Sequence, residues 1–266
     1  MLPQFARRYH RADLARRYRY VFVVTYGRSG STLLMGLLNT IPGYRIRGEN
    51  GNALYRLYQA QAVLDGAHRR HGGDESRSSR NPWYGAHAWR PSAFRRALLD
   101  AFVADVLCPR PGDRVLGFKE IRYTEAHLED LTGYLDFLRK SFPASKIVFN
   151  HRLPDDVARS AWWAEHPGSL ERVQAADRRL SAFPADARHF HFHYDRIDDS
   201  LDNIRELFAF LGEELDEARV RATLDTRHSY KPAARGAGGT AAPTTPRGTR
   251  RLRRLARRVV RVARRR

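Results

Sequence analysis

The run from Tyr20 to Asn39, YVFVVTYGRSGSTLLMGLLN, constrains this chain more than any other segment. The β-branched and aromatic residues from Tyr20 to Thr25 predict a buried parallel strand. A tight turn containing Gly27 and Gly30 follows, and an apolar stretch then opens on Ser31 and Thr32, as helices do. Strand, glycine turn and helix start in that order bring free backbone N–H groups and the positive end of a helix dipole to one point. Such a cradle suits an anion, phosphate above all.

The turn departs from the nucleoside triphosphate loop GxxxxGK[ST], in which Lys directly precedes the Mg²⁺-binding hydroxyl. With Gly30 aligned to the last glycine, Ser31 takes the Lys position and Thr25 the position of the first glycine. The cation has moved to Arg28. In this form Arg28-Ser29-Gly30-Ser31-Thr32 resembles the 5′-phosphosulfate loop of sulfotransferases, which use 3′-phosphoadenosine 5′-phosphosulfate (PAPS). A second segment carries the same resemblance. Residues 145–151 read as another buried strand and 155–163 as the helix after it, with Pro154 suited to the first turn and Asp155 and Asp156 to the dipole. In sulfotransferases an Arg ending such a strand and a Ser in the next helix hold the donor's 3′-phosphate. Arg152 and Ser160, eight positions apart, match that spacing. A guanidinium fork and a hydroxyl suit a phosphate.

Strands and helices alternate along the chain, which predicts an α/β three-layer sandwich with a central parallel sheet. The expected strands are 20–25, 44–47, 114–118, 145–151 and 189–194. The expected helices are 31–40, 52–64, 92–107, 127–141, 155–163, 169–181, 200–211 and 216–224. Residues 65–91 form the one long interruption, polar at first and then aromatic with Trp83, Tyr84 and Trp89. Loops of that length are functional or disordered. This one reads either as a mobile border of the acceptor site or as an insertion with its aromatics tucked into the core.

Sulfuryl transfer needs a positioned acceptor, a base for its proton and cations for the charge that develops on the leaving phosphate. The resemblance places Arg28 on the leaving phosphate and sulfuryl oxygens, and Ser29, Gly30, Ser31 and Thr32 around the 5′-phosphate. For the base it points to Glu49. Protein-tyrosine and several bacterial sulfotransferases carry a Gly-Glu pair about twenty residues beyond the loop cation, and Gly48-Glu49 stands 21 positions after Arg28. The alternative is a loop carboxylate paired with Arg45 or Arg47. Lys119, in the segment GFKEIRY (117–123), is the expected second cation; Glu120 or Arg122 would orient it or meet the acceptor. Alternation along a strand sends Lys119 and Glu120 to opposite faces. His189, His191 and His193 share a face but lack the carboxylate or Cys spacing of a metal site. With no Walker-type Mg²⁺ site either, no metal is expected. Trp162 and Trp163 read as core residues, as does the single cysteine, Cys108.

The 266 residues carry a net charge of +19, which invites a nucleic-acid reading. Eleven of the arginines lie in residues 247–266; without them 37 basic residues face 29 acidic ones, a net +8. The domain is therefore read as 1–231, followed by a Gly/Pro-rich linker, 232–249, and an arginine tail, 250–266. Leu252, Leu255, Val259 and Val262 fall on one helical stripe, so the tail reads as a basic amphipathic helix for an anionic membrane surface, or as a disordered solubilising extension. No base-reading module accompanies the charge, so nucleic acid is an unlikely partner. No apolar run spans a membrane and the N-terminus lacks signal-peptide character, which predicts a cytoplasmic protein, peripheral at the inner membrane surface if the tail binds there. The expected activity is a PAPS-dependent sulfotransferase acting on a hydroxyl acceptor, leaning towards carbohydrate or glycolipid. The alternatives are a P-loop-type kinase and a basic membrane- or nucleic-acid-binding protein with a degenerate loop.

Overall fold

Strand β1 (Arg19–Val24) runs through the middle of a five-stranded parallel sheet in a computed structural model that describes residues 13–226. The other strands are β2 (Tyr44–Arg47), β3 (Val115–Glu120), β4 (Ser145–His151) and β5 (His189–His193), in the order β2-β3-β1-β4-β5. The helices are α1 (Leu14–Arg17), α2 (Ser31–Leu38), α3 (Ala53–His71), α4 (Pro91–Phe102), α5 (Leu131–Ser141), α6 (Pro154–Ala158), α7 (Ser169–Ser181), α8 (Asp202–Leu211) and α9 (Glu217–Asp225).

Period-two alternation on the central strands builds a core on each face. Tyr20, Phe22 and Val24 join Leu116, Phe118, Ile147 and Phe149 under α3, α4, α5 and α7. Val21 and Val23 join Val115, Val148 and Phe192 under α2, α8 and α9. The predicted three-layer sandwich is the architecture found. The chain leaves β1 towards β2 and β3 on one side, then returns to place β4 and β5 on the other. Ligands of open α/β sheets bind beyond the carboxyl ends of the strands where the order reverses, and here that point lies between β1 and β4.

Several boundaries differ from the sequence expectation. Helix α3 runs to His71 rather than 64, because Gly66 and Ala67 are buried and extend its packed face. The interruption is therefore shorter, and Ser76 braces it: its hydroxyl donates to Gly73 O (2.7 Å) and accepts from His87 N (2.9 Å). Helix α4 passes into a π turn over Val103–Leu107 that ends at Cys108 in a left-handed conformation (φ 49°). Val103 and Leu107 occupy the core there, and Cys108 is exposed rather than buried. Helix α5 starts at Leu131, where Asp130 caps it by accepting Gly133 N at 2.8 Å. Strand β3 extends to Glu120, which takes Lys119 and Glu120 into the ladder opposite Val23 and Val24. Helix α6 stops at Ala158, so Ser160 sits in extended backbone (φ −100°, ψ 125°) before a 3₁₀ turn, not on a helix. The linker at 232–249 and the tail at 250–266 lie outside the described residues.

Candidate active site

The loop after β1 is held from beneath. Thr25 Oγ1 donates to Asn150 O of β4 (2.6 Å) and lies 2.7 Å from Ser29 Oγ; Asn150 Nδ2 donates to Ser29 O (2.8 Å). All three residues are buried. The Ser29 hydroxyl and carbonyl therefore brace the loop from within, leaving its N–H and the rest of the turn for a ligand. Gly30 takes φ 79°, and a Cβ there would overlap the ring of Tyr194. The N–H groups of Ser31 and Thr32 open α2 with no acceptor among the described residues, as the first turn of a helix leaves them. Arg28 has φ 68°, a conformation that costs a non-glycine residue about 1–3 kcal/mol and collects at ligand sites.

Arg28 joins the second motif directly. Its Nε donates to Ser160 Oγ (3.2 Å), and its carbonyl accepts from Arg152 Nη1 (3.1 Å). The Arg152 guanidinium lies over the Tyr194 ring, 4.8 Å from the centroid, and its Nε is buried without a hydrogen-bond partner among the described residues. Buried donors are ordinarily satisfied, so an orphaned guanidinium N–H beside free helix N–H groups marks a place for an anion. Arg28, Arg152 and Ser160 form one cluster with Ser29, Gly30, Ser31 and Thr32.

The carboxylate expected to act as base sits across the same end of the sheet. Parallel pairing places Arg47 opposite Phe118, so Glu49 and Lys119 leave the ends of neighbouring strands side by side. Lys119 Nζ, in a residue only 5% exposed, donates to Glu49 Oε1 at 2.7 Å, and Arg122 Nη1 stands 3.3 Å from Glu49 Oε2. Neither Arg45 nor Arg47 pairs with Glu49; Arg45 binds Asp113, and Arg47 donates to the carbonyls of Leu107 and Cys108. The fully buried Glu120 holds this corner together. It accepts from Asn50 N (3.1 Å), Asn52 N (3.0 Å), Ile121 N (2.9 Å) and Arg122 Nη1 (2.9 Å). Burial works to raise its pKa, but the backbone donors and Arg122 outweigh it and hold the carboxyl below the usual range. Lys119 reaches the site itself, and Glu120 fixes the loop that presents Glu49.

A family model described as "Sulfotransferase family" matches residues 20–217. The chain belongs to the sulfotransferase family. Among solved structures it is similar to sulfotransferase STF9 from Mycobacterium avium, with 17% identity, 83% of this chain and 71% of that one covered, and a TM-score of 0.43. It is also similar to sulfotransferase STF1 from Mycobacterium tuberculosis H37Rv, with 18% identity, coverage of 86% and 76%, and a TM-score of 0.37. No curated protein matches it.

Of the two tryptophans read as core residues in this sulfotransferase, only one is buried. Trp163 is buried and donates from Nε1 to Gly27 O at 3.1 Å, whereas Trp162 is 43% exposed and stacks on Trp163 with centroids 4.3 Å apart. The loop aromatics go elsewhere: Trp83 stacks on His71 at 4.0 Å and, with Trp89, lines a groove between α3 and α4. Tyr26 and Asp177 were not anticipated. Tyr26 Oη accepts from Arg152 N (3.1 Å) and donates to Asp177 Oδ1 (2.8 Å), which also binds His151 Nδ1 at 2.7 Å. His151 Nε2 meets His191 Nδ1 at 2.8 Å, and His191 Nε2 donates to Phe183 O. Of the three alternating histidines, His191 thus joins a hydrogen-bond chain beneath Arg152. No sequence spacing links Tyr26, Asp177 and His191; the pairing of β4 with β1 and β5, together with the packing of α7 against the sheet, does.

Proposed function

We propose that this enzyme moves a sulfuryl group from PAPS to the hydroxyl of a carbohydrate or glycolipid. The observation that carries the reading is the partnerless Arg152 Nε beside Arg28, Ser160 and the open start of α2, across the sheet end from Glu49 and Lys119. These residues suit a donor with two phosphate groups. Ser31 and Thr32 N–H groups and Arg28 would hold the 5′ side, and Arg152 and Ser160 the 3′-phosphate.

PAPS supplies a sulfuryl group activated by its anhydride link to phosphate: the acceptor oxygen bonds to sulfur, the bridging S–O bond breaks, and its electron pair leaves on adenosine 3′,5′-bisphosphate. Glu49 accepts the hydroxyl proton, and Lys119 orients Glu49 before transfer. Arg28 faces the charge that grows on the departing phosphate, where fixed cations act most strongly. Each Glu49 oxygen accepts one contact and keeps a lone pair for an incoming hydroxyl, whose approach weakens the contacts already made. The Arg122 pair gives way first: it is longer and more exposed, and such pairs contribute only about 0–1 kcal/mol.

The arginine tail supports a peripheral place on an anionic cytoplasmic membrane surface. Among the described residues no helix is long and apolar enough to cross a membrane. A thermal-shift titration with adenosine 3′,5′-bisphosphate tests the donor reading; a large upward shift is expected, with ATP and Mg²⁺ giving little. An unshifted melting temperature overturns it. Turnover should also survive EDTA, since no step draws on a metal.

A further inference from the structure

A cavity of about 510 Å³ opens beside the donor loop, lined in part by Gly27, Arg122, His127, Trp162, His166 and Arg172. Its position ties it to the chemistry at both ends. Gly27 belongs to the donor loop and lies so close under Trp162 that a Cβ on it would stand 2.6 Å from Trp162 Cζ2. Arg122 reaches Glu49 at 3.3 Å, so a hydroxyl held next to Arg122 is within one side chain of the base.

The lining has two chemical properties. Trp162 offers a half-open aromatic face against the indole of Trp163, a surface for the flat side of a ring. Arg122, Arg172, His127 and His166 supply cationic or hydrogen-bonding groups, and none of the lining residues is a carboxylate. Arg122 already shares its guanidinium between Glu120 and Glu49; Arg172, the other arginine of the lining, has no ion pair among the described residues. A neutral acceptor would leave that charge unused; a ring compound with its own anion would meet it. We propose that this cavity is the acceptor site and that it selects a hydroxyl-bearing ring compound carrying an anionic group, carboxylate or phosphate. This rests on the sulfotransferase reading of the site and narrows its acceptor class.

Matched probes test it on the full-length protein saturated with adenosine 3′,5′-bisphosphate. They are 4-nitrophenyl β-D-glucuronide, the corresponding glucoside 6-phosphate and the neutral 4-nitrophenyl β-D-glucoside, titrated by calorimetry. At least one anionic probe should bind tenfold or more tightly than the neutral one, the scale of a hydrogen bond to a charged group. Arg172→Ala should reduce that preference below threefold, and Trp162→Ala should weaken all probes alike. Arg172→Ala should leave nucleotide affinity unchanged. Equal binding of the three probes, binding of none, or loss of nucleotide affinity in Arg172→Ala overturns the inference. If the unmodified protein binds no nucleotide, the donor reading falls and takes this inference with it; nucleotide binding without an anion preference overturns this inference alone.

Discussion

Lys119 Nζ and Glu49 Oε1 are joined at 2.7 Å across the ends of β3 and β2, and the register Arg47 opposite Phe118 puts them there. The lysine is buried and the carboxylate side chain is 33% exposed, so the buried partner sets the position of the open one. Glu49→Gln keeps the shape and removes the proton acceptor. Turnover should fall about 10²–10⁴-fold, the usual share of a general base, with nucleotide affinity nearly unchanged. Near-normal turnover with the preferred acceptor would move the base elsewhere.

Arg152→Ala and Ser160→Ala should each weaken binding of adenosine 3′,5′-bisphosphate. The arginine variant should lose tenfold or more, because hydrogen bonds to charged groups contribute about 1.5–3 kcal/mol. Calorimetric titration of both variants checks this; unchanged affinity in both would remove the 3′-phosphate assignment.

Gly30→Ala meets two obstacles, a left-handed φ of 79° and the ring of Tyr194. The backbone part alone costs roughly 1–2 kcal/mol. The single variant should lose both melting temperature and nucleotide affinity. In Gly30→Ala/Tyr194→Ala the steric part should be relieved while the backbone part remains, so the two substitutions should be clearly non-additive in a double-mutant cycle. Strict additivity would mean that the ring does not press on the loop.

Stability should decline as pH falls through about 6.5, the ordinary imidazole value. Burial, reinforced by the neighbouring His151, lowers the pKa of His191 and His193, with His189 adding to the shift on His191 and Arg196 to that on His193; Asp177 opposes both. The unfolded chain therefore takes up protons first, and the stability present above that pH is lost below it. The melting temperature should drop more between pH 7.5 and 5.5 in the unmodified protein than in His191→Gln/His193→Gln. Parallel pH profiles would show that these histidines do not carry the dependence.

Deleting residues 247–266 should leave nucleotide affinity intact and abolish co-sedimentation with anionic vesicles. Eleven arginines at about 1 kcal/mol each outweigh the scattered charge of the remainder. Salt should weaken vesicle binding by the full chain steeply. Equal sedimentation of the two forms would mean that the tail is not an anchor.

The sequence by itself determined the layered α/β plan and marked the residues of both proposed anion-binding segments. Strand, turn and helix start are local patterns, and Arg28, Gly30, Arg152 and Ser160 stand within them. It also marked Glu49 and Lys119 as separate candidates. Tertiary structure decided how they combine. A strand carries no statement of its partner's register, so only the β2–β3 pairing brings Glu49 to Lys119, and only the β1–β4 pairing brings Arg28 to Ser160 and Arg152. The same limit hid the role of Glu120: the sequence offered it as a partner of Lys119 or the acceptor, whereas its buried carboxylate gathers the backbone of the Glu49 loop. Trp162 and Trp163, adjacent and identical, separate into an exposed ring and a buried one because the chain leaves α6 at Ala158, runs extended through Ser160 and then tightens into a 3₁₀ turn. Composition cannot distinguish them; the direction of the backbone at that turn does.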